Sequence, residues 1–83
     1  MKIRISFVED LTKTLEGSTG YALKLNNDNC DIFIDSRLSN RERRLVAVHE
    51  VLDVHLQGKT KHSNIDKIAI DIIEALRQIG ELE

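Results

Sequence analysis

The sequence predicts an α+β domain, three β-strands followed by two helices, and three observations carry that reading. Residues 2–35 hold three segments in which apolar and polar side chains alternate, and residues 40–79 switch to apolar side chains three and four apart. The change falls at Ser39-Asn40-Arg41-Glu42, the spacing of a helix capping box. Strands and helices gathered into separate blocks fit an antiparallel or mixed sheet with helices on one side. At 83 residues, 41% of them hydrophobic, the chain is expected to form one domain over residues 1–83, with no space for a second, substrate-binding lobe.

The first strand spans residues 2–7, with Ile3, Ile5 and Phe7 on one side and Lys2, Arg4 and Ser6 on the other, the period of a half-buried strand. Residues 10–20 carry Thr12, Thr14, Gly17, Ser18, Thr19 and Gly20 with no continuous apolar face, and read as a loop with at most one helical turn. Tyr21, Leu23 and Leu25 then share a face over residues 21–25. The Asx-rich run Asn26-Asn27-Asp28-Asn29 is a turn, and Cys30, Ile32 and Ile34 alternate with Asp31, Phe33 and Asp35. These two strands form a hairpin.

From the capping box a helix runs over residues 40–57 and stops at Gly58, a residue suited to the left-handed position after a helix C-terminus. From Arg44 onward it is apolar nearly all round, which predicts a central buried helix with Val48 in the core. A second helix over residues 63–79 presents Ile65, Ile68, Ala69, Ile72, Ala75, Leu76 and Ile79 on one face and Asp66, Lys67, Asp71, Glu74, Arg77 and Gln78 on the other, ending at Gly80.

Charge and composition exclude several classes. The formal net charge is -2, and the local excess of three positive residues between Arg37 and Lys67 is the size of a solvated helix face, which argues against nucleic acid as a partner. A helix-turn-helix DNA reader is a weak third reading, because its recognition helix would expose Asp66, Asp71 and Glu74 to phosphates. No apolar run approaches the roughly 18 residues of a membrane span, and residues 1–6 alternate where a signal peptide would be apolar, so no membrane partner and a cytoplasmic location are expected. The single cysteine, Cys30, reads as a reduced, partly buried filler and not as half of a disulfide. No Gly-rich phosphate loop or Ser/Cys nucleophile signature occurs.

The chemistry concentrates in His49-Glu50-Val51-Leu52-Asp53, with His55 and His62 beyond it. Positions 49 and 53 lie about 40° apart around a helix, so both side chains aim at one spot and can share a hydrogen bond or a cation. The residues alone leave both open. Glu50, about 100° from His49, is either a rim carboxylate paired with a Lys or Arg or a base beside a metal-bound water. His62 is either an exposed residue just ahead of the second helix, whose Ser63-Asn64-Ile65-Asp66 start has capping-box spacing, or a third ligand. His55, six positions from His49, faces elsewhere.

His49-Glu50-x-x-Asp53 resembles the zincin motif His-Glu-x-x-His with its last histidine replaced by aspartate. The frame around it is Ile32-Phe33-Ile34-Asp35, Leu38-Ser39 and then Arg44-Leu45-Val46-Ala47-Val48-His49-Glu50-Val51-Leu52. It is similar to the small phage and mobile-element metallopeptidase-like proteins of the minimal gluzincin type, over about residues 2–79. The resemblance implies zinc as cofactor, His49 as a ligand, Glu50 as the catalytic base, and a third ligand early in the last helix, the slot that His62 fills. The family's two histidines and one acid would here be His49, Asp53 and His62, the same inventory with two roles exchanged. An aspartate carboxylate reaches less far from its backbone than a histidine Nε2, so the exchange implies weak or lost hydrolysis. Two functions follow: a zinc metallopeptidase-like protein, or a catalytically silent binding or regulatory module on the same fold, acting on a protein or peptide partner.

Overall fold

The computed structural model of the protein describes residues 1–9, 11 and 18–81. Its elements follow the order β1 (Lys2–Val8), β2 (Gly20–Lys24), β3 (Asn29–Asp35), α1 (Asn40–Leu56) and α2 (His62–Gln78). The loop expected over residues 10–20 falls largely outside the described residues, although Leu11 is buried and the carbonyl of Thr19 accepts from the Asp35 amide at 3.0 Å.

The three strands form one mixed sheet in the order β1-β3-β2, with β1 parallel and β2 antiparallel to the central β3. The hairpin closes through Asn26, whose Oδ1 accepts from the Asp28 amide at 2.8 Å and from Asn29 Nδ2 at 3.1 Å, the side-chain mimicry that suits Asx residues to tight turns. Cys30, Ile32 and Ile34 are buried beneath α1, packed against Ala22 of β2, Leu38, and Val46, Ala47, Val51 and Val54 of α1. The opposite face of the sheet carries the Tyr21–Phe33 stack, 6.2 Å between ring centroids, and a two-pronged Arg4–Asp31 pair at 3.1 Å on each oxygen. Tyr21 and Leu23 therefore lie on the outer face and are exposed.

The capping box forms as the sequence predicts. Ser39 Oγ accepts from the Glu42 amide at 3.2 Å, and Glu42 Oε1 accepts from the Ser39 amide at 3.1 Å. Gly58 follows α1 at φ 75°, where a side chain would be strained.

Three expectations need correction. α1 is central but not sealed: none of its residues is buried, and Val48, Leu52 and Leu56 are only half-covered, because one narrow sheet and one helix cannot enclose a helix that is apolar all round. α2 begins one residue early, at His62, and its N-cap is Lys61 with no side-chain hydrogen bond, so the Ser63–Asp66 capping box does not form. Only Ile65 and Ala69 of its apolar face are buried, while Ile68, Ile72 and Ile79 are exposed. Among the described residues no helix is long and apolar enough to cross a membrane.

Candidate metal centre

The cluster read from the sequence is assembled where α1, the start of α2 and the first residues of β2 meet. His49 and Asp53, one helical turn apart, approach to 3.3 Å between Nε2 and Oδ2. The turn after Gly58 returns the chain so that His62, at the start of α2, lies against them. Its ring centroid is 4.6 Å from that of His49 in an edge-on arrangement, and its Nδ1 is 3.9 Å from Asp53 Oδ1. One donor atom from each of the three falls within 4.8 Å of the others. His49 is mostly covered and His62 is 70% exposed, so the cluster opens toward solvent on the α2 side.

The donor set, two imidazoles and one carboxylate, is of the kind that binds zinc, and its spacing is looser than a closed tetrahedral site, with donor atoms up to 4.8 Å apart. Bonds of about 2.0–2.2 Å in a tetrahedron give ligand-to-ligand edges of roughly 3.3–3.6 Å. The His49–Asp53 edge already has that length, and the His62–Asp53 separation exceeds it by a few tenths of an ångström. His62 reaches in from α2 toward the Asp53 carboxylate, so the three side chains share one spot.

Glu50 faces two adjoining cavities. One of about 360 Å³ is lined by Gly20, Val46, His49, His62 and Asp66 among others. The other, of about 400 Å³, runs beside β2 past Asp53, Val54 and His62. Burial raises the Glu50 carboxyl above its ordinary value and the nearby Asp53 raises it further, against the lowering pull of His49 and His62. Among the described residues Glu50 makes no ion pair with a Lys or Arg, unlike the rim carboxylate that was one of its two expected roles. Gly20 lets β2 come this close: a Cβ there would collide with the Val46 side chain and lie 3.2 Å from both Glu50 Cγ and Oε1.

Sequence reasoning missed Asp66, which it read as part of a solvated face. Its Oδ1 lies 2.7 Å from His49 Nδ1, on the side of the ring opposite Asp53. The signal was present, since His62 and Asp66 are four apart on α2, the same same-face spacing that marked His49 and Asp53 on α1. His55 is exposed and stays outside the cluster. Compared with known proteins, the chain matches no family model, no curated protein and no solved structure.

Proposed function

We propose that this protein is a zinc-dependent hydrolase-like domain of the minimal zincin type, with His49, Asp53 and His62 as ligands and Glu50 as the base for peptide-bond hydrolysis. The observation that carries the reading is the convergence of three donors from two helices within 4.8 Å, with Glu50 facing the same cavities. When bound, zinc polarises a substrate carbonyl and lowers the pKa of a coordinated water toward about 7. Glu50 would hold the proton that the attacking water gives up and deliver it to the leaving amine, a task favoured by a carboxyl that burial raises above its ordinary value. Asp66 holds the His49 ring from its Nδ1 side, leaving Nε2 toward Asp53.

The test is elemental analysis and calorimetric zinc titration of tag-free protein, followed by a peptidase assay. Zinc uptake that His49→Ala abolishes and Glu50→Gln leaves intact supports the site. Hydrolysis lost in Glu50→Gln assigns the base.

One observation favours the second reading, a silent binding module. Both ring nitrogens of His49 lie within 3.3 Å of a carboxylate oxygen, so the imidazole is provided with partners even without an ion. Zinc uptake without hydrolysis of any peptide supports that reading over the first.

A further inference from the structure

β1 is an edge strand whose unpaired side is built for pairing. The Lys2 amide donates to the Asp28 carbonyl at 2.6 Å and the Val8 carbonyl accepts from Ser36 at 3.0 Å, so the even-numbered residues of β1 turn their backbone groups toward β3. Backbone direction alternates along a strand, and Ile3, Ile5 and Phe7 therefore aim their N–H and C=O groups at the free edge. Among the described residues nothing pairs with that edge.

The side chains of those three residues sit on the helix side of the sheet, opposite Cys30, Ile32 and Ile34 in the register. Yet α1 covers β2 and β3 and leaves them 40%, 45% and 54% exposed. Arg43 stacks over the Phe7 ring at 4.7 Å. Between the two helices, Ala47, Val48, Val51, Leu52 and Ile72 line an apolar cleft of about 310 Å³. The edge has no proline, no bulge in its pairing with β3 and no charge pointing to the helix side, and its two charges, Lys2 and Arg4, lie on the outer face.

We propose that the occupant of this edge is a second copy of the chain, with two β1 strands paired antiparallel about a two-fold axis through Ile5 to give a continuous six-stranded sheet. Self-pairing about Ile5 uses all of Lys2–Val8 and sets Ile3 against Phe7 of the other copy, Ile5 against Ile5, and Arg4 against Ser6. Each of the three apolar pairs exchanges two backbone hydrogen bonds, since these are the residues whose amides face outward. The apolar row meets itself, and no like charges stand opposite each other. A register shifted by one step toward the N-terminus would place Arg4 against Arg4, and like charges directly opposite are destabilising. A strand that is complementary to itself under a two-fold rotation is the requirement for a closed, isologous dimer.

Analytical ultracentrifugation of the full chain, from low to high micromolar concentration, should show a monomer–dimer equilibrium. Ile5→Arg, which puts two guanidinium groups face to face on the axis, should remain folded by circular dichroism and sediment as a monomer. Under mild oxidation Ile5→Cys should form an intermolecular disulfide, because paired Cα atoms about 5.5 Å apart suit that bond. Wild type, whose Cys30 is buried, and Ser6→Cys, which faces Arg4, should not cross-link. A monomer at every concentration overturns the proposal and leaves the apolar row to a different kind of partner. So does a dimer that survives Ile5→Arg, or one in which Ile5→Cys fails to cross-link.

Discussion

Asp66 Oδ1 stands 2.7 Å from His49 Nδ1, bridging the second turn of α2 to the middle of α1. The contact ties the helix that supplies His62 to the helix that supplies His49 and Asp53, so one carboxylate sets both the ring orientation and the distance between the two halves of the site. Carboxylates in this position orient the imidazole and raise its basicity as a ligand, and their loss costs about 10- to 100-fold in metal affinity. Asp66→Asn should lower zinc affinity by that factor in calorimetric titration. Asp71→Asn, which makes the same charge change on an exposed position of α2, should leave it unchanged. Equal losses in the two variants would mean that Asp66 acts only through net charge.

Asp53→His creates His-Glu-x-x-His on α1 and tests the proposed exchange of ligand types between the helices. In the present geometry Asp53 reaches His62 at 3.9 Å, so a longer imidazole would stand beside two others in a site with no carboxylate ligand. The paired substitution Asp53→His with His62→Glu returns one acid and two histidines. We expect the double variant to bind zinc at least about tenfold more tightly than wild type, equivalent to about 1.4 kcal/mol. Asp53→His alone should gain less than the pair. Weaker binding by the double variant would mean that the surrounding side chains are fitted to the exchanged arrangement.

The sheet and the capped helix were legible because their signals are local: alternation along Lys2–Val8 and Asn29–Asp35, and the reciprocal Ser39–Glu42 bonds. What period-2 alternation does not encode is which strand lies beside which. It marked Ile3, Ile5 and Phe7 as one face, and that face does share the core side with Cys30, Ile32 and Ile34. Only the order β1-β3-β2 reveals that α1 packs on β2 and β3 and leaves that face exposed apart from the Arg43 side chain over Phe7. His49 and Asp53 were legible from helical spacing within a single element. The approach of His62 depends on the path of the chain between the helices, and Asp66 was hidden by a competing local reading. Ser63 and Asp66 have capping spacing, but the carboxylate contacts His49 instead.

Glu50 should weaken the fold at neutral pH, as a half-buried base would. Its folded-state carboxyl is raised, mainly by burial, so its contribution to stability is fully present below the unfolded value and is lost as pH rises through the folded one. Glu50→Gln removes that loss. In metal-free protein held with a chelator, the variant should melt at a higher temperature than wild type at pH 7.5 and at the same temperature near pH 4. Glu42 provides the opposite sign. Hydrogen bonding to Ser39 lowers its carboxyl, so its stabilisation is present above the ordinary range and lost as pH falls through the lowered value. A Glu50→Gln melting curve that follows wild type at both pH values would mean the carboxylate is solvated in the free protein.

Gly20 and Val46 should be coupled, because the strand edge that borders the site can approach α1 only without a side chain at position 20. A Cβ built on Gly20 collides with Val46 Cγ1 and lies 3.2 Å from the Glu50 side chain. Val46 has no room to yield, since a β-branched side chain on a helix is confined to essentially one χ1 rotamer. Gly20→Ala should therefore destabilise the protein by about 1–3 kcal/mol, the usual cost of overpacking. Val46→Ala alone should also destabilise it, through lost contact with the Cys30–Ile32–Ile34 row. Together the two changes relieve the collision, and the double variant should be more stable than the sum of the single losses by about 1 kcal/mol or more, within the range seen for residues in contact. Urea denaturation of the four proteins in a double-mutant cycle measures this directly. Strict additivity would mean that β2 shifts away from α1 to accept the methyl group. In that case Gly20→Ala should also weaken zinc binding, by moving the wall of the cavity that Glu50 shares with His49 and His62.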